Sequence, residues 1–382
     1  MSPVEEYLGM TRQQAIDRVY ARARSYVEHE TPSGAAAEIA ALGRLIAAQL
    51  ETAGATVETT DAPGRGVNLH ARVPGAQPEA APVLVLAHID TVHPIGTLAE
   101  RPIRVADGRA FGPGIYDMKT GIALVIEALA GLNARGRLPR RPVELLVTCD
   151  EEIGSHSSRA AIEEGARRAA AVLVPEPCMP DGGVKTFRKG VATYRVEARG
   201  IAAHAGIDGA QAVSAIAELV RALAAILPLA DHDRGTTINI GTIAGGTASN
   251  VVAARARAAV DVRIAEPPEG DRIHAALMAI GAYNPKAELE IRLTEQRPPL
   301  VRTPAVAALY ERARSLAADL GADLPEGGTG GGSDGSFAGA MGAATLDGLG
   351  ARGGGAHAVD EHIVLDDLPF RLALFGRLLE EL

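Results

Sequence analysis

Tryptophan is absent from this chain of 382 residues, and aromatic residues make up only 3% of it. Few platforms are therefore available for stacking nucleic-acid bases. Basic charge is also in deficit, with a formal net charge of −9, whereas phosphate backbones call for a basic face. Together these deficits argue against a nucleic-acid partner. No apolar run approaches the ~20 residues that span a bilayer, so no membrane partner is expected. Residues Met1 to Arg24 interleave Glu, Arg and Gln with apolar residues at helical spacing. They lack the uninterrupted apolar core of a signal peptide. The two cysteines, Cys149 and Cys178, are too few for a disulfide framework. A cytoplasmic location is the expectation, with both thiols as buried filler beside strand-like runs.

What is present is a globular composition, 47% hydrophobic and 22% charged. The length exceeds the roughly 250–300 residues at which single cores stop growing, so two domains are expected. No repeat of fixed period is found. The first half alternates strand and helix patterns. Ala36 to Ala53 is amphipathic, with Gly54 where a left-handed C-cap belongs. Val83 to Ala87, Val143 to Thr148 and Ala171 to Val174 are short apolar runs, as in strands covered on both faces. Met118 to Leu132 reads as a helix with Asp117 at its N-terminus. This alternation predicts an α/β fold, a mostly parallel sheet with helices on both faces.

From about Val191 the texture changes. Val191 to Ala198, Thr236 to Thr242, Val251 to Ile264 and Ala287 to Leu293 read as strands, and Gln211 to Leu229 and Arg272 to Ala282 as helices. That is a small α+β unit with an antiparallel sheet and two helices. After Arg297-Pro298-Pro299 the earlier style returns, with a helix from Pro304 to Leu320, a strand near Ala343 to Leu346 and a closing helix from Leu368. The predicted division is 1–190 with 299–382 as one domain and 191–298 as a second, inserted domain.

The informative pattern is where His and acidic residues fall. The first buried run leads into His88-Ile89-Asp90, the second into Asp150-Glu151-Glu152, the third into Pro175-Glu176, and the late strand is followed by Gly353-Gly354-Gly355-Ala356-His357. In open parallel sheets ligands bind beyond the carboxyl ends of the strands. So much negative charge at one rim calls for a cation. Two His with three carboxylates suit zinc, cobalt or manganese better than calcium or magnesium. The donors exceed what one tetrahedral zinc can use. Two ions roughly 3.5–4 Å apart, bridged by a carboxylate, fit the set.

Each element alone has an ordinary reading. A His-x-Asp after a strand is usually structural, an Asp-Glu-Glu run is usually a solvated loop, and Asp117 is as easily a helix cap. His357 reads alone as a surface loop residue, and Glu176 between prolines as a loop charge. Gly112-Pro113-Gly114 and Gly327 to Gly335 could cradle phosphate, but neither has the Walker spacing. Ordinary tight turns, or close backbone approach to a substrate or metal, are the competing readings.

Seven segments occur in order: His88-Ile-Asp90-Thr-Val, Gly112-Pro-Gly-Ile-Tyr-Asp117-Met-Lys119, Asp150-Glu151-Glu152-Ile-Gly154, Pro175-Glu176-Pro177, Gly200-Ile-Ala-Ala-His204-Ala-Gly206, Ser249-Asn250-Val251 and Gly330-Gly-Gly-Ser-Asp334-Gly335, followed by His357. The set closely resembles the dizinc metallopeptidase family of aminoacylases, glutamate carboxypeptidases, acetylornithine deacetylases and succinyl-diaminopimelate desuccinylases. It is nearest to the bacterial glutamate carboxypeptidases, over residues from about 80 to the C-terminus.

The resemblance implies that His88 and Glu176 hold one zinc, Glu152 and His357 the other, and that Asp117 bridges them. It implies that Asp90 bonds His88 and fixes its tautomer, and that Glu151 is the general base on the attacking water. It further implies that His204 reaches the active site of a partner subunit, stabilising the oxyanion, and that the inserted domain serves as lid and dimer contact. Asn250, Arg263 and the backbone of Gly331 and Gly332 match positions that grip the substrate carboxylate, with Arg297 a second candidate. Taken alone, His204 and Asn250 read as turn residues and Arg263 as half of a strand salt bridge. Glu rather than Asp at position 176 is what the family's carboxypeptidases and deacylases carry, in contrast to its aminopeptidases. The function expected is hydrolysis of peptidyl or N-acyl amino acids with a free carboxylate, with C-terminal glutamate first, by a homodimer holding two Zn2+ per subunit (Co2+ or Mn2+ as substitutes). The alternatives are an aminoacylase or dipeptidase of other side-chain preference, and a catalytically silent metal-binding protein. A nucleotide-binding protein is a further alternative.

Overall fold

The computed structural model describes residues 2–207 and 211–382; Met1, the first residue of the expected N-terminal segment, lies outside them. The chain divides into two compact units, one of residues up to Phe187 with Leu300–Thr329 and Ser333–Leu382, the other Arg188–Pro299 with Gly330–Gly332.

The first unit is built on a six-stranded sheet in the order Thr56–Ala62, Gly66–Val73, Val143–Thr148, Val83–His88, Ala171–Leu173, Thr345–Leu346. The last four strands run parallel. The first two form an antiparallel hairpin that joins the sheet through Val143–Thr148. Every residue of Val83–His88 and Val143–Thr148 is buried, because side chains on both faces meet helices. Leu84, Leu86, Leu146 and Val172 pack with Ile162 and Phe337, from helices Arg159–Arg168 and Asp334–Ala340. Val83, Val85, Ala87, Leu145 and Val147 pack in one core with apolar residues of helices Arg12–Val27, Ala36–Thr52, Thr120–Ala134 and Leu368–Glu381. Local chemistry sets the helix starts. Thr11 and Gln14 form a capping box before Arg12–Val27, and Thr303 caps Pro304–Asp319, whose Pro occupies the first turn.

The second unit has an antiparallel sheet in the order Thr237–Gly245, Arg255–Ile264, Gly190–Arg199, Glu288–Arg297. Its inward residues, among them Tyr194, Val196, Val260 and Val262, bury against helices Ala215–Ile226 and Pro267–Met278.

Several elements differ from the sequence reading for identifiable reasons. The strand expected from Val251 starts at Arg255, because residues 252–254 are bonded elsewhere: Gly200 N–H donates to Ala254, Ala215 N–H to Ala253, and Val252 N–H to Ala203. The helix expected from Arg272 begins at Pro267, where two prolines fit the first turn. The helix expected from Met118 begins at Thr120. Asp117 lies before it in a tight turn, Ile115–Lys119, with φ −115° and ψ 99°. The amides of Tyr116 and Asp117 are taken by the Glu361 carboxylate rather than by a helix cap. The late strand does not lead straight to His357. That residue sits on a hairpin between Gly353–Gly354 and His362–Val364, within a small sheet that also contains Arg104–Ala106 and Arg109–Phe111.

Candidate metal centre

His88 ends its buried strand, and Glu151 and Glu152 open a short turn just beyond Thr148 in the adjacent strand. Glu176 follows Ala171–Leu173 on the other side. The structure draws five of the expected residues into one chain of contacts. His88 Nε2 lies 3.4 Å from Glu176 Oε1 and 3.3 Å from Asp117 Oδ1. Asp117 turns its other oxygen, Oδ2, toward His357 Nε2 at 3.5 Å, and His357 Nε2 is 3.3 Å from Glu152 Oε2. Asp117 thus sits in the middle, one oxygen facing each histidine.

Not every atom in this cluster is satisfied. His88 Nε2, Asp117 Oδ1 and Glu152 Oε1 are buried atoms with no hydrogen-bond partner. Each such orphan costs about 1–3 kcal/mol in a folded protein. One donor atom from each of His88, Asp117 and Glu152 lies within 4.8 Å of the others. Two imidazole nitrogens with carboxylate oxygens are a donor set for zinc or a similar divalent ion. The residues fit a cation.

Electrostatics agree. Burial works against charge on His88, but the carboxylates of Asp117, Asp90 and Glu176 outweigh it and hold the imidazole's pKa well above the ordinary value. Asp117, and then Glu152, hold His357 up at about 10. Burial raises Asp117, yet His357 and His88 bring it well below the ordinary carboxylate range. Burial raises Glu152. Ring protons on two histidines thus supply the positive charge that bound cations would replace.

A second set of residues orients the first. His88 Nδ1 lies 3.0 Å from the backbone carbonyl of Asp90, a contact that aims Nε2 toward the carboxylates. The Asp90 carboxylate is 3.5 Å from that ring nitrogen. It accepts from Ser33 Oγ at 2.7 Å and from the amides of Glu151 and Glu152 at 3.1 and 3.2 Å. Asp150 points away from the cluster, accepting from Ser157 N–H, Ser158 Oγ and Arg65. Asp334 accepts from Thr148 Oγ1 and Ser155 Oγ.

The remaining expected residues lie in the second unit. His204 and Asn250 come together, since His204 bridges to Val251 and Ala205 N–H donates to the Asn250 carbonyl. Both are exposed. Arg263 makes the strand pairing that its bland reading foresaw, with Nε and Nη2 donating to the two oxygens of Asp261. It also donates to the Gly330 carbonyl at 3.0 Å. Gly331 and Gly332 offer their carbonyls to Arg188. A Cβ at Gly332 would lie 3.0 Å from Arg297 Cδ, so Arg297 is in the same group. Gly114, in the other glycine-rich segment, spends its amide on Glu361 at 2.8 Å, which leaves no phosphate cradle there.

Sequence reasoning passed over the buried Glu361 and His93 and the half-buried Arg101, which form a network beside Asp117, and also Arg188. Glu361 had one available signal, its position four residues after His357. It also passed over Gly121 and Gly350, whose absent side chains let the Pro175-Glu176 backbone approach closely.

Residues 84–381 match the family model described as Peptidase family M20/M25/M40. The chain is 31% identical over 363 residues to "Carboxypeptidase G2" of Pseudomonas sp. (strain RS-16), covering 93% of this chain and 87% of the relative. It is 30% identical over 344 residues to a succinyl-diaminopimelate desuccinylase of Delftia acidovorans, covering 82% and 85%. Among solved structures, aminopeptidase PepT of Bacillus cereus shares the fold with a TM-score of 0.78 at 22% identity, over 96% of this chain and 98% of that one.

Proposed function

The chain belongs to peptidase family M20/M25/M40 and is a metallopeptidase, and from that premise we propose a two-zinc enzyme that releases an amino acid with a free carboxylate, glutamate first, from a peptide or N-acyl conjugate. The single observation that carries the two-ion reading is Asp117, whose two oxygens face His88 and His357 separately. His88 and Glu176 would hold one ion, Glu152 and His357 the other, with Asp117 shared. When bound, such ions supply Lewis acidity and bring the pKa of water toward ~7.

The chain's own residues do the rest. Glu151 is buried in the turn whose amides Asp90 holds. It takes a proton from the attacking water and delivers it to the leaving nitrogen as the amide C–N bond breaks, so acid and amine are the products. His204, from a partner subunit, stabilises the charge developing on the carbonyl oxygen. Arg263, Asn250, Arg297 and the backbone at Gly331 and Gly332 recognise the substrate carboxylate, for which a guanidinium fork is suited. The second unit serves as lid and as the contact of a homodimer. The preference for glutamate rests on the motif set's likeness to bacterial glutamate carboxypeptidases, and Glu at 176 supports a substrate whose amine is acylated or peptide-linked and whose carboxylate is free. Two free, buried thiols support a reducing, cytoplasmic setting.

The test is metal analysis joined to a panel of peptidyl-glutamates, N-acetyl and N-succinyl amino acids and dipeptides. Two zinc ions per chain with the highest kcat/KM on a C-terminal glutamate are expected. A faster N-succinyl or N-acetyl substrate would move the assignment to a deacylase. Glu151→Gln should lose at least ~100-fold in kcat while keeping both ions. Normal turnover in that variant would remove Glu151 from its role.

A further inference from the structure

Glu361 is 2% exposed and stands four residues beyond His357. Its carboxylate meets donors only. Oε1 accepts the backbone N–H of Tyr116 at 2.9 Å and of Asp117 at 3.1 Å. Oε2 accepts the N–H of Gly114 at 2.8 Å and meets His93 Nε2 at 2.6 Å. The tautomer of His93 follows from its other side. Arg101 Nη2 donates to His93 Nδ1 at 3.3 Å, so Nδ1 is the acceptor and Nε2 carries the proton given to Glu361. Arg101 also donates through Nη1 to the carbonyl of Ala358, the residue after His357.

The Asp117 turn has other supports. Thr120 Oγ1 donates to the Ile115 carbonyl, Lys119 Nζ to His29, and Ile115 and Met118 are buried in the core. The His357 hairpin is anchored along its second arm, where His362–Val364 pairs with Arg109–Phe111 and Ile363 is buried in the core, but its tip is less supported. Its arms are two and three residues long, His357 is half exposed, and φ at His357 is +64°, a conformation few non-glycine residues adopt. Glu361 is the side chain that bonds this hairpin directly to the amides of the turn, and Arg101 ties down the tip at Ala358.

Resting on the two-ion reading above, we infer that Glu361 is a positioning residue that fixes the distance from Asp117 to His357 and so controls binding of the ion held by Glu152 and His357. The ion at His88 and Glu176 is governed from the sheet side and is far less dependent on it. Two metal affinities in one site thus answer to different parts of the fold.

The experiment uses the full chain stripped with a chelator and titrated with Zn2+ against a competing indicator. Wild type should take two equivalents. Glu361→Gln keeps the shape but turns an amide NH2 toward two of the four donors, whichever oxygen it replaces. It should bind the first equivalent within about 3-fold of wild type and the second 10–100-fold more weakly, the usual cost of disturbing outer supports of a metal site. Co2+ titration gives an independent signature: the first equivalent's visible absorption is retained and the second's is weakened or changed. Glu361→Asp, which restores two acceptor oxygens, should recover part of the second affinity. Equal loss at both sites would mean a merely structural residue, and unchanged affinities would mean no role; either overturns the inference. Wild type that takes up one equivalent or none would instead defeat the two-ion reading. Should Glu361→Gln not fold, Arg101→Gln, at a partly exposed position, carries the test. It should weaken the second equivalent several-fold and spare the first, and wild-type values for both would overturn the proposal.

Discussion

The carboxylate of Asp90 accepts the backbone N–H of Glu151 at 3.1 Å, joining the end of one buried strand to the turn that follows its neighbour. Its other oxygen accepts the amide of Glu152 at 3.2 Å and the hydroxyl of Ser33 at 2.7 Å. The same residue's carbonyl faces His88 Nδ1. Asp90 therefore sets His88, Glu151 and Glu152 relative to one another without needing to touch a cation itself.

Replacing Asp90 with Asn tests this arrangement. The new amide can satisfy only one of the two backbone donors, and a buried donor left unpaired costs about 1–3 kcal/mol. Denaturant unfolding should show that loss. Zinc affinity or kcat/KM should fall by about 10–100-fold. A variant with wild-type kinetics and metal content would show that the turn is held by other means.

Glycine governs the approach of Glu176. A Cβ at Gly121 would lie 2.0 Å from the Pro175 carbonyl oxygen, and one at Gly350 would lie 2.2 Å from that same oxygen and 2.7 Å from the Glu176 oxygen. Both obstacles are backbone, which cannot swing aside. Gly121→Ala and Gly350→Ala should each cost roughly 1–3 kcal/mol or more by overpacking, and should lower zinc affinity by shifting Glu176. Calorimetry with metal titration reads both effects, and unchanged values in either variant would mean that the segment relaxes freely.

Legibility in the sequence followed the strength of the local pattern. Val83–His88 and Val143–Thr148 are wholly buried, so their apolar runs mark the sheet, and His88 and Glu152 are found by looking just past them. Glu176 follows the same logic. The hairpin of Thr56–Ala62 and Gly66–Val73 was not legible, because its first strand is mostly exposed and polar. Two-residue arms such as Gly353–Gly354 fall below any periodicity, which hid the true setting of His357. Glu361 was hidden for another reason. Its partners at Gly114, Tyr116 and Asp117 are more than 240 residues away in the chain, and a lone Glu in a loop carries no mark of them.

Lys119 gives a prediction of opposite chemistry. Burial brings its ammonium down to a pKa of about 7, against the smaller opposing pull of Glu361 and Glu30. The folded state thus binds fewer protons than the unfolded state between about 7 and the ordinary lysine value, so this residue's contribution to stability rises with pH across that window. Below it the cost of the buried charge is borne in full. Lys119→Met removes the charge and also the hydrogen bond to the His29 carbonyl, the latter at every pH. Relative to wild type, the variant should therefore fare better at pH 6 than at pH 9 in urea unfolding under chelator. The same difference at both pH values would contradict the buried-ammonium account.

The histidines of the metal-stripped protein carry the reverse sign. His357 is raised to about 10 by Asp117 and Glu152, and His88 is raised as well. A base whose folded pKa exceeds its unfolded value stabilises the fold fully below that unfolded value, near 6.5 for His, and loses the contribution as pH climbs through the folded pKa. His357 is half exposed, so solvent screening trims its share. Thermal melts of stripped wild type and His357→Asn, taken from pH 6 to 10, isolate the effect, since subtraction cancels the opposing slope of Lys119. Asn also accepts the +64° backbone angle at this position. Wild type's advantage over the variant should shrink steadily across that range. With zinc added, deprotonated imidazole becomes the binding form, and the advantage should instead persist at high pH. An advantage that grows with pH in the stripped protein would show that the carboxylates around His357 do not hold its proton.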